Sequence, residues 1–210
     1  MKISIDGPSG AGKSTISKLI AKKLKISYLD TGSMYRLVTF YLLENNINLN
    51  DESLVCKNLN NINIGFKDGF VLLNDKKYEN EIRSDIVTSN VSLISSYKCV
   101  REFLVSLQRK IASTNDIILD GRDIGSVVLK DADYKFYLTA DVDERARRRF
   151  NETIGFSFNE IKRKIIDRDN FDKSREISPL IVPEDAIIID STNLNIDETV
   201  NKIIGEIKNV

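Results

Sequence analysis

The chain has 210 residues, of which 41% are hydrophobic and 30% are charged, with 31 basic and 31 acidic side chains. This composition is typical of one folded globular domain, and the zero net charge argues against nucleic-acid binding through bulk positive charge. The sequence contains no histidine, which excludes Ser-His-Asp and Cys-His catalytic units and histidine metal ligands. Any chemistry must therefore use Lys, Arg, Asp, Glu, hydroxyl groups, backbone amides or a metal held by oxygen.

Strand and helix patterns alternate along the chain. An apolar strand over Lys2–Asp6 precedes a glycine-rich turn and a helix over Lys13–Leu24, and a second strand ends at Tyr28-Leu29-Asp30 before a helix over Met34–Glu44. The later elements alternate in the same way: strands over Ile117–Asp120, Lys135–Leu138 and Ala186–Asp190, and helices over Asp143–Thr153, Asn159–Asp169 and Ile196–Lys208. The strands are nearly all apolar, which predicts an α/β fold: three layers, with a central parallel sheet flanked by helices.

One stretch departs from this alternation. Residues 61–83 contain three short strand patterns, separated by turns at Asp68-Gly69 and Asn74-Asp75, with the third strand over Tyr78–Ile82. We expect a small antiparallel meander, inserted at about residues 56–93, that either shapes a substrate site or only covers part of the surface.

The two cysteines and the first residues of the chain are indicators of the cellular compartment of the protein. Cys56 and Cys99 lack C-x-x-C spacing, so neither a zinc site nor a redox pair is indicated, and we expect ordinary buried thiols of an intracellular protein. No leader-like segment precedes the first strand, and no apolar run approaches the roughly 18 residues of a membrane span. We therefore expect a cytoplasmic protein without membrane contact.

Residues Gly7-Pro8-Ser9-Gly10-Ala11-Gly12-Lys13-Ser14 fit the pattern G-x-x-x-x-G-K-[ST] in full. In this pattern the loop amides and the helix N-terminus surround a phosphate, the lysine reaches the β- and γ-phosphates, and the hydroxyl ligates Mg²⁺. The loop lies between a strand pattern and an amphipathic helix, which is the context that the motif requires. The sequence therefore predicts a nucleoside-triphosphate site on a P-loop NTPase fold.

Arginines are concentrated near the end of the chain. Seven of the 12 arginines fall between positions 145 and 175, where ten basic and five acidic side chains give a local net charge of +5. A solvated helix face is the ordinary explanation of such a run. Because Arg145, Arg148 and Arg149 share one helix face, and Gly155 offers a hinge, we expect instead a mobile lid over residues 145–175 that closes on a triphosphate.

Three further motifs resemble those of bacterial cytidylate kinases, within the P-loop nucleoside monophosphate kinase family. They are Asp30-Thr31-Gly32-Ser33-Met34-Tyr35-Arg36, then Asp120-Gly121-Arg122-Asp123-Ile124-Gly125, then Arg168-Asp169 with Asp172 and Arg175-Glu176-Ile177-Ser178-Pro179-Leu180. The resemblance follows the chain order and includes the insert. It implies a single kinase domain over residues 1–210, with an acceptor-nucleotide region at 31–100, that transfers the γ-phosphoryl group of ATP·Mg²⁺ to CMP or dCMP.

The resemblance also implies a role for each matching residue. ATP is expected on the loop and the first helix residues: Gly7, Pro8, Ser9, Gly10, Ala11, Gly12, Lys13, Ser14 and Thr15. The catalytic set is Lys13, Arg122, Arg149 and Asp120, with Ser14 as the metal ligand and Asp120 holding magnesium through water. CMP is expected on Thr31, Tyr35, Arg36, Ser92, Arg101, Arg122, Asp123, Arg168, Asp172 and Arg175.

Within that CMP set, Asp123 would accept from the exocyclic amine of cytosine, together with Arg101 and Ser92 at the base. Arg36, Arg122 and Arg175 would bind the acceptor phosphate, and Thr31, Arg168 and Asp172 the ribose. Simpler explanations exist for some residues: Asp120 and Asp123 as helix caps, Arg101 as a surface residue, and Ser92 as a neutral position in a serine-rich helix.

Two other functions compete with this interpretation. One is a kinase for another acceptor, such as UMP or a small metabolite, which Asp123 disfavours because a carboxylate repels the uracil carbonyl. The other is a non-catalytic nucleotide-binding regulator, which has no need of the acceptor residues. We expect no nucleic-acid partner and, since no large apolar stripe is left unassigned, a monomer.

Overall fold

The computed structural model describes residues 1–67, 69–153 and 155–207. Five strands form the main sheet: β1 (Lys2–Asp6), β2 (Ser27–Asp30), β5 (Ile117–Gly121), β6 (Tyr134–Thr139) and β7 (Ile187–Asp190). Their order in the sheet is β2-β5-β1-β6-β7, and the β1–β5, β1–β6 and β6–β7 pairs are parallel. The predicted α/β architecture is therefore confirmed. Two compact units are distinguished: unit 1 comprises Met1–Tyr28 and Asn115–Val210, and unit 2 comprises Leu29–Thr114.

The helices connect the strands in the predicted alternation. They are α1 (Lys13–Leu24), α2 (Thr31–Glu44), α3 (Glu52–Asn58), α4 (Asp85–Ile94), α5 (Lys98–Ser113), α6 (Val142–Glu152), α7 (Phe158–Ser174) and α8 (Ile196–Glu206). The predicted end of α8 at Lys208 lies outside the described residues. None of the helices in the described ranges combines the length and apolar character that crossing a membrane requires.

The core of unit 1 forms where β1 is covered by helices. Ile3 and Ile5 are fully buried and belong to one cluster with Ile20 of α1, Phe136 of β6 and Ile203 of α8. Burying each such side chain contributes about 1.5–3 kcal/mol relative to leaving it exposed. This packing fixes β1, and therefore fixes the loop that leaves its carboxyl end.

Helix α7 is longer at its carboxyl end than the predicted Asn159–Asp169. It starts with a capping box between Ser157 and Glu160 and continues to Ser174. The last turns lack the apolar periodicity that marks a helix, because Asp169 and Asp172 are buried there among arginines. The prediction ended the helix early because these buried positions are charged.

In unit 2, the predicted three-stranded meander is wrong in its third strand. The structure has a two-stranded antiparallel sheet of β3 (Ile64–Lys67) and β4 (Phe70–Leu73), followed by a single bridge from Leu73 to Lys76. The chain then leaves the sheet, and the ring of Tyr78 lies 4.9 Å from that of Phe40 on α2. Asp68, half of the predicted Asp68-Gly69 turn, lies outside the described residues.

The expectation of two free cysteines is also wrong. Cys56 of α3 and Cys99 of α5 are joined by a disulfide, with their Cα atoms 5.7 Å apart. Both residues are half-buried, and the 43-residue separation gave no local spacing signal. The bond connects two helices of unit 2 that the sequence places on either side of the insert.

We predict that replacing both cysteines by serine lowers the free energy of unfolding by about 2–4 kcal/mol, because the crosslink restricts the unfolded chain. Chemical denaturation followed by circular dichroism measures this change. A dithiol reductant should lower the stability of the wild type by a similar amount and leave the double variant unaffected. Equal stability of the oxidised wild type and the double variant would contradict the prediction.

Candidate active site

The phosphate-binding loop connects β1 to α1. Gly7 has φ 151°, and a Cβ atom there would lie 2.0 Å from the carbonyl oxygen of Leu138, so the chain leaves β1 by a path that only glycine permits. Gly12 caps α1 at φ 86°. The helix N-terminus, with its partial positive charge, therefore points into the loop, which is the arrangement that binds phosphate.

Lys13 is buried within this loop. Its Nζ atom donates hydrogen bonds to the carbonyl oxygens of Gly7 (2.8 Å) and Pro8 (2.7 Å). Burial, followed by the positive charges of Arg122 and Arg168, lowers the pKa of Lys13 well below its ordinary value, while Asp120 opposes the shift. The loop lysine is thus a desolvated cation among other cations, a setting that favours an incoming anion.

Ser14 and Asp120 form the oxygen-rich side of the loop. The Ser14 hydroxyl donates to Asp120 Oδ2 and the Tyr28 hydroxyl donates to Asp120 Oδ1, both at 2.9 Å. Asp120 stands near the carboxyl end of β5, and only 4% of it is exposed. A hydroxyl beside a carboxylate is the donor chemistry that Mg²⁺ prefers, so these residues fit the metal that the motif implies.

Two predicted acceptor arginines converge on Asp172. Arg122 donates from Nε to Asp172 Oδ2 at 2.8 Å, and Arg175 donates to the other oxygen, Oδ1. Although burial acts to raise the pKa of Asp172, Arg122, Arg175 and Arg168 lower it below its usual value, so the carboxylate is charged. Asp172, whose side chain is 1% exposed, therefore orients both guanidinium groups.

Asp123 opens a one-turn π-helical segment, Ile124–Val128. It is buried, and its carbonyl oxygen accepts from the amides of Val127 (2.9 Å) and Val128 (3.2 Å). Its side chain makes no capping hydrogen bond to the segment, which removes the helix-cap explanation. Its carboxylate also raises the pKa of Asp6, which indicates that the two acids are close.

Of the remaining predicted CMP residues, Arg168 is half-buried on α7 of unit 1, and the others belong to unit 2. Arg101 is 3% exposed, which excludes the surface explanation, and its guanidinium lies 5.7 Å from the ring centre of Tyr35. Arg36 donates to the carbonyl oxygen of Ile82 (3.1 Å) and to the hydroxyl of Thr88 (2.8 Å). Thr31 is buried at the start of α2, and Ser92 is half-buried on α4.

The arginines of α6 do not form one open face. Arg145 is buried: it donates to the carbonyl oxygen of Ser9 at 2.9 Å and pairs with Asp169, which also accepts from the Ser9 amide at 2.8 Å. Arg148 donates to Glu144 and to Ser191. The expectation that Arg145 is presented for lid closure is corrected, since its charge is compensated inside the protein, whereas Arg149 is exposed and 3.6 Å from Glu152.

Comparison with known proteins places the chain in a family. The model of the cytidylate kinase family matches residues 3–209. A cytidylate kinase of Fusobacterium nucleatum is 46% identical over 99% of this chain and 97% of its own length. A cytidylate kinase of Acholeplasma laidlawii is 48% identical over 97% of this chain and 93% of its own. The chain belongs to the cytidylate kinase family.

The fold is shared more widely than the family. A shikimate kinase from Bacteroides thetaiotaomicron superposes with a TM-score of 0.52 at 13% identity, covering 99% of this chain and 98% of that one. At this identity the likeness concerns the fold alone: a helix-flanked parallel sheet that presents a phosphate-binding loop.

Three residues of this cytidylate kinase family member join the site without having been predicted. Asp6 accepts from the amides of Ile124 and Gly125, Tyr28 donates to Asp120, and Asp169 accepts from Ser9. Asp6 had a sequence signal, because an acid ending an otherwise apolar strand needs a partner. Asp169 belongs to the Arg168-Asp169 motif of the resemblance but received no role from it, and Tyr28 gave no signal of its own.

We predict that Asp172→Asn lowers the free energy of unfolding by about 3–5 kcal/mol, because Arg175, whose side chain is 6% exposed, and the half-buried Arg122 would both lose the buried carboxylate charge with which they pair. The matched control is Asp167→Asn on the same helix, whose ion pair with Arg163 is exposed on both sides and should contribute less than about 1 kcal/mol. Denaturant titration measures both. Equal effects of the two substitutions would contradict this assignment.

Proposed function

We propose that this protein transfers the γ-phosphoryl group of ATP to CMP or dCMP, producing ADP and CDP or dCDP. A phosphate oxygen of the acceptor donates an electron pair to the γ-phosphorus and forms the new bond. The bond from the γ-phosphorus to the β–γ bridging oxygen breaks, and its electron pair stays on that oxygen, which becomes a terminal β-phosphate oxygen of ADP. The observation that carries the proposal is the cluster of Lys13, Ser14, Asp120 and Arg122 in a chain of the cytidylate kinase family.

The proposed ATP site is the loop Gly7–Ser14 with Thr15. Its amides and the start of α1 would surround the β-phosphate, and Lys13 would exchange the carbonyls of Gly7 and Pro8 for phosphate oxygens. The lowered pKa of Lys13 supports this exchange, since bringing an anion to a desolvated cation is favourable. The loop would hold the triphosphate before any reaction begins.

Ser14 and Asp120 are the proposed magnesium residues, with Asp120 acting through water. When bound, Mg²⁺ neutralises charge on the β- and γ-phosphates. The chain's own part is to keep these oxygens in place, which the Tyr28–Asp120 and Ser14–Asp120 hydrogen bonds support. Lys13 and Arg122, which hydrogen bonds already orient, would stabilise charge on the transferring group together with the exposed Arg149.

For the acceptor phosphate we propose Arg36, Arg122 and Arg175. Arginine suits this role because its planar fork donates two parallel hydrogen bonds to phosphate oxygens. Asp172 holds Arg122 and Arg175 in their orientation, which supports in-line attack by fixing the acceptor. With Thr31 and Arg168, it is also proposed to bind the ribose.

For the base we propose Asp123, Arg101 and Ser92, with Tyr35 beside Arg101. Cytosine offers an amine donor next to ring acceptors, so its recognition requires a carboxylate together with a donor. Residues 31–100 would form the acceptor region and residues 145–175 a lid that excludes water. We propose that the enzyme acts as a monomer in the cytoplasm, where ATP and CMP are available.

A coupled assay of ADP release tests the proposal with ATP·Mg²⁺ and each of CMP, dCMP, UMP and AMP. We predict strong dependence on CMP or dCMP and little on AMP. Lys13→Ala should reduce transfer by several orders of magnitude, because charge stabilisation supplies most of the rate. Lys22→Ala, an exposed lysine at the end of the same helix, should retain wild-type turnover.

Two results would count against the proposal. Release of ADP that does not depend on any pyrimidine nucleotide would remove the kinase assignment, and near-normal turnover of Lys13→Ala would remove the role of Lys13.

A further inference from the structure

Asp6 is a fully buried carboxylate at the last position of β1. Each of its oxygens accepts one backbone hydrogen bond: Oδ1 from the amide of Ile124 at 2.8 Å and Oδ2 from the amide of Gly125 at 2.7 Å. These are the first two amides of the π-helical segment, and the first amides of a helical turn have no partner inside the turn. One side chain therefore satisfies the start of the segment that follows Arg122 and Asp123.

The same segment is in close contact with the sheet at Gly125. A Cβ atom there would lie 2.9 Å from Ser4 Oγ, and 3.3 Å from both Lys135 Cδ and Pro183 Cγ. Ser4 and Asp6 are two residues apart on β1, so their side chains share one face of the strand. The segment thus donates two hydrogen bonds to Asp6 and packs against Ser4, so it makes two independent contacts with the same strand.

Holding this carboxylate in place is costly. Burial, with a smaller contribution from the Asp123 charge, raises the pKa of Asp6 to about 6, against the lowering effect of the two amides and Lys13. A buried acid beside another acid is unfavourable unless its hydrogen bonds compensate. An apolar residue would fill the site without that cost, so the two amide contacts are the specific contribution of an aspartate here.

We propose that Asp6 is a positioning residue for acceptor selection: its carboxylate fixes the segment Ile124–Val128, and through it the base-reading carboxylate of Asp123. The inference rests on the proposed function, since it concerns the residue assigned to cytosine.

The first test is Asp6→Asn, which keeps the shape but can accept only one of the two amide hydrogens and opposes the other with its own NH₂ group. We expect KM for CMP to rise at least tenfold while KM for ATP changes less than threefold. The ratio of kcat/KM for CMP over UMP should fall at least tenfold. A loss of general stability would not produce this selective pattern, and thermal unfolding identifies the folded fraction.

The second test moves the segment from its other side and leaves Asp6 intact. Gly125→Ala should reproduce the CMP-selective loss, because the new methyl group meets Ser4 Oγ. Ser4→Ala alone should behave as wild type, since Ser4 Oγ has no hydrogen-bond partner among the described residues. Combining Ser4→Ala with Gly125→Ala should recover at least threefold of the lost CMP affinity, because the clashing atom is removed.

The outcomes separate the two levels of inference. A wild type without CMP-dependent ADP release would overturn the proposed function and this inference with it. If the wild type is active, two results for Asp6→Asn would overturn this inference alone. One is an unchanged ratio of kcat/KM for CMP over UMP, and the other is an equal rise of KM for ATP and for CMP. If Asp6→Asn does not fold, the Gly125→Ala variants test the inference instead. It is overturned if Gly125→Ala causes no CMP-selective loss, or if adding Ser4→Ala does not recover CMP affinity.

Discussion

The buried charges around the carboxyl ends of β1 and β5 constrain the rest of unit 1. Lys13 is 7% exposed, and the Arg175 side chain is 6% exposed, so neither cation is compensated by water. Each such charge is destabilising unless protein groups replace its hydration. The carboxylate of Asp172 forms ion pairs with the two arginines, and two loop carbonyl oxygens accept hydrogen bonds from Lys13. Helix α7 continues to Ser174 and so carries Asp172 to these arginines.

The same constraint prepares the site for anionic substrates. Cations held by buried partners cannot relax into solvent, so they are oriented before a phosphate arrives, and that preorganisation is the largest contribution to phosphoryl transfer. Lys13 is repelled by Arg122 and Arg168 in the free protein. The proposed binding of a triphosphate would relieve that repulsion. Asp6 acts on the acceptor side, because its buried carboxylate accepts hydrogen bonds from the backbone segment that follows Asp123.

The sequence predicted the fold wherever a local pattern carried the information. Apolar strands such as Ile117–Asp120 identified the parallel sheet, and the spacing Gly7 to Ser14 identified the phosphate-binding loop. The predictions that were wrong have a common cause, because each concerns a contact between residues that are distant in the sequence. The Cys56–Cys99 bond, the burial of Arg145 against Asp169, and the departure of Tyr78 toward Phe40 all depend on packing that no local period encodes. Burial excluded the surface explanation for Arg101, and the lack of a side-chain capping hydrogen bond excluded the helix-cap explanation for Asp123, while the roles of both residues remain proposals.

The central claim is that Lys13 is a desolvated cation among cations, and NMR titration of its side chain measures this most directly. Lysine labelled with ¹³C at Cε reports each ammonium group, and Lys13→Arg assigns the resonance. In the free protein we expect Lys13 to lose its proton well below the pH at which the exposed lysines do, and ATP to move its pKa upward. Titration of Lys13 together with the surface lysines, unchanged by ATP, would contradict the account.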